Sequence, residues 1–333
     1  MDISVLNLDI TQIAADLIVM KHADGFYGAD KAVANTIGFY GQVERGRAIF
    51  VSGIGLVAPE VLFIGVGPLY DFRYREIQAF GTSAVKLSRK HNRPISHLAL
   101  TIHGPGYGLD PEQAFLSMIA GIVAEWKREK TPLAKLTVVD QSARRCEILD
   151  RLLKDRGHEF GLLHNQRLPF TTQYANVPKD GAWRTFIDSN VVNFGARAEQ
   201  KSRLFVAMPF SNDFVDEFEI GFHEAAKASE YVCERLDLEA FTGDIVAEIR
   251  KRIQGSHGVI ALLNDHNPNV FLEVGFAWAH GKPTILVAKE GVVLPFDVSG
   301  HRCIKYQSIT QLRVRLTTEI ASLKAQGVFS KSI

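Results

Sequence analysis

The chain has 333 residues, about twice a typical domain of roughly 150, so two domains are expected. Its 46% hydrophobic and 23% charged residues match a soluble globular protein and exclude a disordered, collagen-like or coiled-coil chain. The formal net charge of +1 argues against a dedicated nucleic-acid binder, which carries a basic excess to meet phosphates.

Over the first 156 residues, short apolar runs alternate with amphipathic stretches, the pattern of an α/β domain. Strands are expected over 3–8, 17–20, 48–52, 61–65, 97–102 and 136–140, and helices over 30–37, 74–90, 111–127 and 142–154. The third helix opens on Pro111 and carries an apolar stripe of Phe115, Met118, Ile119 and Ile122. Periodicity fades over 157–200, where His164, Asn165, Pro169, Pro178 and Gly181 break regular structure; this reads as a linker, with Trp183, Phe186 and Phe194 as side chains that pack.

A second α/β pattern occupies 201–333. Strands are expected over 204–208, 231–234, 259–263 and 284–288, and helices over 213–228, 244–254 and 270–280. Strand–helix–strand repeats of this kind imply a parallel sheet joined by right-handed crossovers. Ligands of such sheets sit outside the strands' carboxyl ends, which here gathers 208–211, 234–237 and 264–269.

No apolar run reaches the 18 to 20 or so residues of a membrane span, and the opening MDISVLNLDI has acids where a signal peptide needs basic residues, so a cytoplasmic protein is expected. Cys146, Cys233 and Cys303 are too few and too far apart for a disulfide framework or a metal-ligand spacing, and they read as inert thiols. The 11 histidines form no HExxH, so neither a metal nor a cofactor is expected.

The richest stretch is NDHNPNVFLEVGFAWAHGKPTILVA, 264–288. Asn267 suits a helix cap and Pro268 its first turn, which sets Glu273 about one and a half turns into a helix rising from a strand end. The partial positive charge of that helix end favours an ionised carboxylate, able to attack a sugar carbon or steady an oxocarbenium ion. The bland alternative is a salt-bridged surface glutamate.

From Arg203 to about Tyr306 the chain resembles the nucleoside 2-deoxyribosyltransferase-like family, flavodoxin-like relatives of Toll/interleukin-receptor domains. FVAMPF (205–210), ERLD (234–237), DIVAEIRKRI (244–253), NPNVFLEVGFAWAHGKP (267–283) and LPFDV (294–298) carry the likeness. The resemblance implies cleavage or transfer at the N-glycosidic bond of a nucleoside, nucleotide or NAD, with Glu273 as nucleophile. It also implies that Asp237 and Arg235 hold ribose or phosphate, and that Pro209, Phe210, Ser211, Asn267 and Asn269 shape the pocket. Surface ion pairing of Arg235 and Asp237, and simple packing of Phe210, stay open. One position departs from the family: IALLN sets Leu262 where an acid is expected, and Asp265 in the next loop is the candidate replacement. Altered substrate or lost catalysis stays open there too.

In the amino-terminal half, DGFYGADKAV (24–33) and HGPGYGLDPEQAF (103–115) each link a strand to a helix. Glycines let backbone N–H groups cradle a phosphate at a helix start, though glycines also serve ordinary turns. The order of these segments resembles a macro domain, and 16–38 with 58–67 resembles the macro-like amino-terminal domain of leucine aminopeptidases, without that family's metallopeptidase half. The resemblance implies a three-layer mixed-sheet domain that binds an ADP-ribose-like ligand through Gly25, Gly28, Asp30, Gly104, Gly106, Tyr107 and Gly108. The expected whole is a homo-oligomeric N-glycosidase with a nucleotide sensor, of a kind that serves stress or antiviral defence. The alternatives are a non-catalytic nucleotide-binding signalling protein and an oligomerisation module.

Overall fold

The computed structural model describes residues 1–160, 194–209, 211–236 and 245–330. The protein is α/β throughout, and its contacts divide it into two compact units. The first takes in Met1–Pro105 and Pro111–Glu199, the second Gly106–Asp110 and Gln200–Ile333. The short loop Gly106–Asp110 thus belongs with a unit that begins some ninety residues later in the chain, which no local sequence signal announces.

The first unit is built on a 6-stranded sheet in the order β1-β6-β5-β2-β4-β3. The strands are β1 (Asp2–Asn7), β2 (Leu17–His22), β3 (Ala48–Ser52), β4 (Glu60–Gly65), β5 (His97–Thr101) and β6 (Lys135–Asp140). All neighbours run parallel except β3 and β4. The connection over 53–59, closed by a Gly53 N–H bond to the Pro59 carbonyl of 2.8 Å, is too short for a crossover, so β3 turns back along the edge. Strands β2, β4 and β5 are buried on both faces, as their unbroken Val, Ile and Leu runs require. Helices Ala29–Ile37, Tyr74–Ser88, Pro111–Arg128 and Ala143–Arg156 cover the sheet; Phe115, Met118, Ile119 and Ile122 are fully buried, as their spacing predicts. The ends of the expected linker are built into this unit: Phe160 is fully buried, and the helix Phe194–Gln200 buries Phe194 and Ala198. The Gln78 side chain accepts from the Gly195 N–H at 2.6 Å. His164, Asn165, Pro169, Pro178, Gly181, Trp183 and Phe186 lie outside the described residues.

The second unit holds a 5-stranded, all-parallel sheet ordered β11-β10-β9-β7-β8. Its strands are β7 (Arg203–Ala207), β8 (Val232–Glu234), β9 (Gly258–Leu262), β10 (Thr284–Lys289) and β11 (Cys303–Tyr306). The chain steps outward from β7 to β8 and then returns to the other side of β7, so the strand order reverses between β7 and β9, the position at which ligands of such sheets generally bind. Alternation along β9 sends Ile260 and Leu262 toward Phe222, Leu312, Leu316 and Ile320 on one face. Val259, Ala261 and Leu263 face the opposite layer, formed by helices Ile245–Gly255 and Pro268–Ala279 through Ile253, Val270, Val274 and Ala277.

One expected element differs. The helix foreseen over 213–228 is a 3-10 turn at Asn212–Phe214, then a wide π segment Glu217–Phe222 that runs into a regular helix His223–Ala228. The π segment brings the buried Glu217 carboxylate to the Tyr306 hydroxyl, which donates to it at 2.9 Å. Strand β11 and the long helix Ile309–Ala325 are additions to the expected elements. Among the described residues, no helix is long and apolar enough to cross a membrane.

Candidate functional site

The second unit's most distinctive group is Glu273. It lies on the helix Pro268–Ala279, whose start is set by the Asn267 side chain accepting from the Asn269 N–H at 2.9 Å, with Pro268 in the first turn. Glu273 is only 7% exposed and makes no hydrogen bond or ion pair among the described residues. It stands in the wall of a cavity of about 290 Å³ whose other lining is Ile245, Val246, Ile249, Arg250, Asn269, Leu272 and Phe276. Burial without a partner pushes its carboxyl up from 4.5 to about 8. The expectation that the helix end holds Glu273 ionised is therefore corrected: the end's partial charge fades within a turn, Glu273 lies beyond it, and desolvation wins.

Asp265 and Asn267 are loop-forming. The Asp265 carboxylate accepts from the Asn267 N–H at 3.1 Å, which orders the turn leading into the helix. Leu262, at the position of the expected acid, is fully buried and belongs to the core on the face opposite the Glu273 helix. A carboxylate there would be buried in a cluster that includes Phe222, Val287 and Leu312.

Around the end of β7, Pro209 is buried and the Ser211 hydroxyl donates to Asp213 at 2.8 Å. Arg235, just after β8, stacks its guanidinium over Phe218 at 4.6 Å and reaches the Met208 sulfur at 3.6 Å. Phe210 and Asp237 lie outside the described residues. The structure thus brings Glu273 and Asn269 to one cavity, and adds Arg250 and Phe276 to it; Pro209, Ser211, Arg235, Asp265 and Asn267 do not line it. The cue for Arg250 is present in the sequence: Ile245, Ile249 and Ile253 mark one helical face, and Arg250 is set on its edge.

In the first unit, the polar cluster lies at the carboxyl ends of the central strands. Lys21, on β2, pairs with Asp30 in the first turn of the helix Ala29–Ile37; they are 5% and 2% exposed. Burial pushes the Asp30 carboxyl up, against the pull of Lys21, and Asp30 Oδ1 has no hydrogen-bond partner among the described residues. His22 places Nδ1 3.2 Å from the Val43 carbonyl and leaves Nε2 buried without such a partner. His103, beyond β5, is wrapped by Phe72 and Phe80, its Nε2 also lacks a partner, and burial with nearby Lys21 drives its pKa well below the ordinary value.

Gly28 caps the Ala29–Ile37 helix with φ 52 and ψ −123, a conformation closed to side-chain-bearing residues, and open space surrounds the place its Cβ would take. A Cβ on Gly25 would lie nearest the Tyr27 phenol, at 3.1 Å from its hydroxyl oxygen, and Gly104 has φ 121. Gly106, Tyr107 and Gly108 fall in the loop counted with the second unit. Tyr107 is 4% exposed, which leaves its ring little face for stacking on a base. At Gly108 (φ +90), a Cβ would lie 2.0 Å from the Arg235 carbonyl, and the Arg235 N–H donates to the Gly108 carbonyl at 3.2 Å. Close backbone approach accounts for this glycine without a phosphate.

No protein-family model matches the chain, and no curated protein sequence does. Solved structures similar to it include the Oceanobacillus iheyensis macrodomain with MES bound, at 19% identity and a TM-score of 0.37, covering 47% of this chain and 92% of that one. The Trypanosoma brucei macrodomain in complex with ADP-ribose is 18% identical with a TM-score of 0.37, covering 45% and 68%. The macro domain of ganglioside induced differentiation associated protein 2 is 12% identical with a TM-score of 0.36, covering 46% and 82%.

Proposed function

We propose that the second unit cleaves the N-glycosidic bond of a nucleotide-like substrate with Glu273 as nucleophile, and that the first unit binds an ADP-ribose-like nucleotide. The observation that carries the catalytic reading is a carboxyl 7% exposed, without a partner among the described residues, in the wall of an otherwise mostly apolar cavity. In water a carboxylate gains little from a developing positive charge, whereas for a carboxyl as buried as Glu273 the same attraction is several times larger. A neutral nucleoside gives Glu273 no such charge, but the oxocarbenium-like transition state does, so stabilisation is realised where it lowers the barrier.

The Glu273 carboxylate attacks the anomeric carbon as the carbon–nitrogen bond breaks. The base leaves with that bond's electron pair and takes a proton from solvent. Water then opens the glycosyl ester, returning the carboxylate and freeing the sugar. Binding by the first unit is supported by the cluster at the ends of β2 and β5, where Asp30 Oδ1, His22 Nε2 and His103 Nε2 lack partners among the described residues, beside loops bearing Gly25, Gly28 and Gly104. A stress or antiviral defence role extends this reading, and is tested by whether cellular NAD falls when cells expressing the protein are challenged with a virus.

The test is to incubate the full chain with NAD, deoxynucleosides and nucleoside monophosphates, with and without ADP-ribose, and to score free base by chromatography beside Glu273→Gln. Base release by the wild type alone is expected. If neither protein releases base, or if Glu273→Gln retains the activity, the catalytic assignment fails.

A further inference from the structure

Among the described residues lining the Glu273 cavity there is a single cation, Arg250. Its guanidinium carbon lies 5.3 Å from the Phe276 ring centroid, and it has no hydrogen bond or ion pair among the described residues. The sequence explains why. Positions three and four away along its helix are Val246, Ala247, Ile253 and Gln254, none of them acidic. Arg252, on the same helix, is by contrast held by Glu248 at 2.9 Å. Arg250 is an exposed side chain that lies over an aromatic face, with its fork of donors turned to solvent and not spent on another side chain among the described residues.

We infer that Arg250 reads a phosphate, so that the substrate at Glu273 is a nucleoside 5′-phosphate in preference to a free nucleoside; this rests on the reading of Glu273 given above. Asn269, Glu273 and Phe276 share one helical face at spacings of four and three. At 1.5 Å of rise per residue, Asn269 lies about 6 Å before Glu273 and Phe276 about 4.5 Å after it. A ligand laid along this face meets an amide, then the carboxyl, then the stacked guanidinium. That order matches base edge, anomeric carbon and phosphate. The amide can pair with the donor and acceptor edge of a base, and the planar guanidinium matches phosphate oxygens in a bidentate fashion. The aliphatic wall of Ile245, Val246, Ile249 and Leu272 offers the sugar no competing charge.

The experiment compares kcat/KM for the four deoxynucleoside 5′-monophosphates with that for the matching deoxynucleosides, in the wild type, Arg250→Gln and Arg250→Lys. Binding of both substrate sets to Glu273→Gln is followed by calorimetry. A charged hydrogen-bond pair of this kind corresponds to a monophosphate preference of about 10- to 100-fold. That preference collapses toward unity in Arg250→Gln and is partly restored in Arg250→Lys. Equal use of nucleosides and monophosphates, or a preference that survives Arg250→Gln, overturns the inference and leaves Glu273 in place. Tighter binding of monophosphates to Glu273→Gln that depends on Arg250, with no base released by the wild type, keeps the phosphate site and overturns the catalytic reading. Weak, equal binding with no base released overturns both.

Discussion

The Glu273→Gln substitution tests whether the fold holds this side chain uncharged. In the folded protein the carboxyl titrates at about 8, against 4.5 for the free group. Between those values the folded chain keeps a proton that the unfolded chain releases, so stability must fall as pH rises. The contribution is fully present below about pH 4.5 and lost by the time pH passes about 8. At roughly 1.36 kcal/mol per pH unit, the interval from 4.5 to about 8 corresponds to about 5 kcal/mol. Glutamine matches the protonated acid in shape and cannot ionise, so the variant is expected to be spared this loss. Denaturant unfolding of both proteins from pH 4 to pH 9 gives the difference curve, in which every other titrating group cancels. The two proteins should be nearly equal at pH 4, and the variant more stable by several kcal/mol at pH 8.5. Parallel curves would mean that Glu273 is hydrated or paired in solution, and would remove the basis of the catalytic reading.

The same titration sets an expected pH–rate profile: kcat/KM for base release rises to a plateau through about pH 8, since a nucleophile must be ionised in the free enzyme, and a limb that falls there instead would make Glu273 a proton donor. Lys21→Met leaves the buried Asp30 uncompensated and should cost about 3 to 5 kcal/mol near neutral pH. Because Asp30 is then forced to keep its proton, that cost should shrink on acidification, as unfolding curves at pH 4 and pH 7.5 will show. Gly108→Ala drives a methyl group into the Arg235 carbonyl and should lower the melting temperature by several degrees, whereas Gly106→Ala, with open space around its Cβ, should not. Calorimetry with ADP-ribose should show binding by the wild type and its loss in Gly28→Val, where a bulky side chain enters the loop ahead of the Ala29–Ile37 helix. Equal affinity in the two proteins removes this loop from the nucleotide site.

The repeated strand–helix pattern could be read from the sequence because buried parallel strands need unbroken apolar runs and covering helices need apolar stripes. Ile18–Met20, Val61–Ile64 and Val259–Leu262 on one side, and Phe115–Ile122 on the other, are such local signals. The helix start at Asn267–Pro268 could be read for the same reason, since a cap is decided by the few residues that form it. The antiparallel turn of β3 could not, because orientation depends on how Ala48–Ser52 meets β4 and not on its own composition. Nor could the π segment Glu217–Phe222, whose aromatic spacing is compatible with an ordinary helix until Glu217 is drawn to Tyr306 from eighty-nine residues away.

For the sites, the order of residues settles which groups are available: a glutamate in the second turn of a capped helix, glycines after two strands, and an aspartate at a helix start. Tertiary structure alone decided their state. Glu273 is driven toward its neutral form because the helix Ile245–Gly255 covers it with aliphatic side chains and no cation among the described residues comes near enough to repay its lost hydration. Asp30 is met by Lys21 because β2 ends beside it, and Gly108 is a glycine because the Arg235 carbonyl fills the place of its side chain. Leu262 lies in a core face turned away from Glu273 because successive residues of a strand alternate. Propensity, caps and periodicity act within a few residues and are therefore written locally. Desolvation, ion pairing and close backbone approach act between segments that only folding brings together.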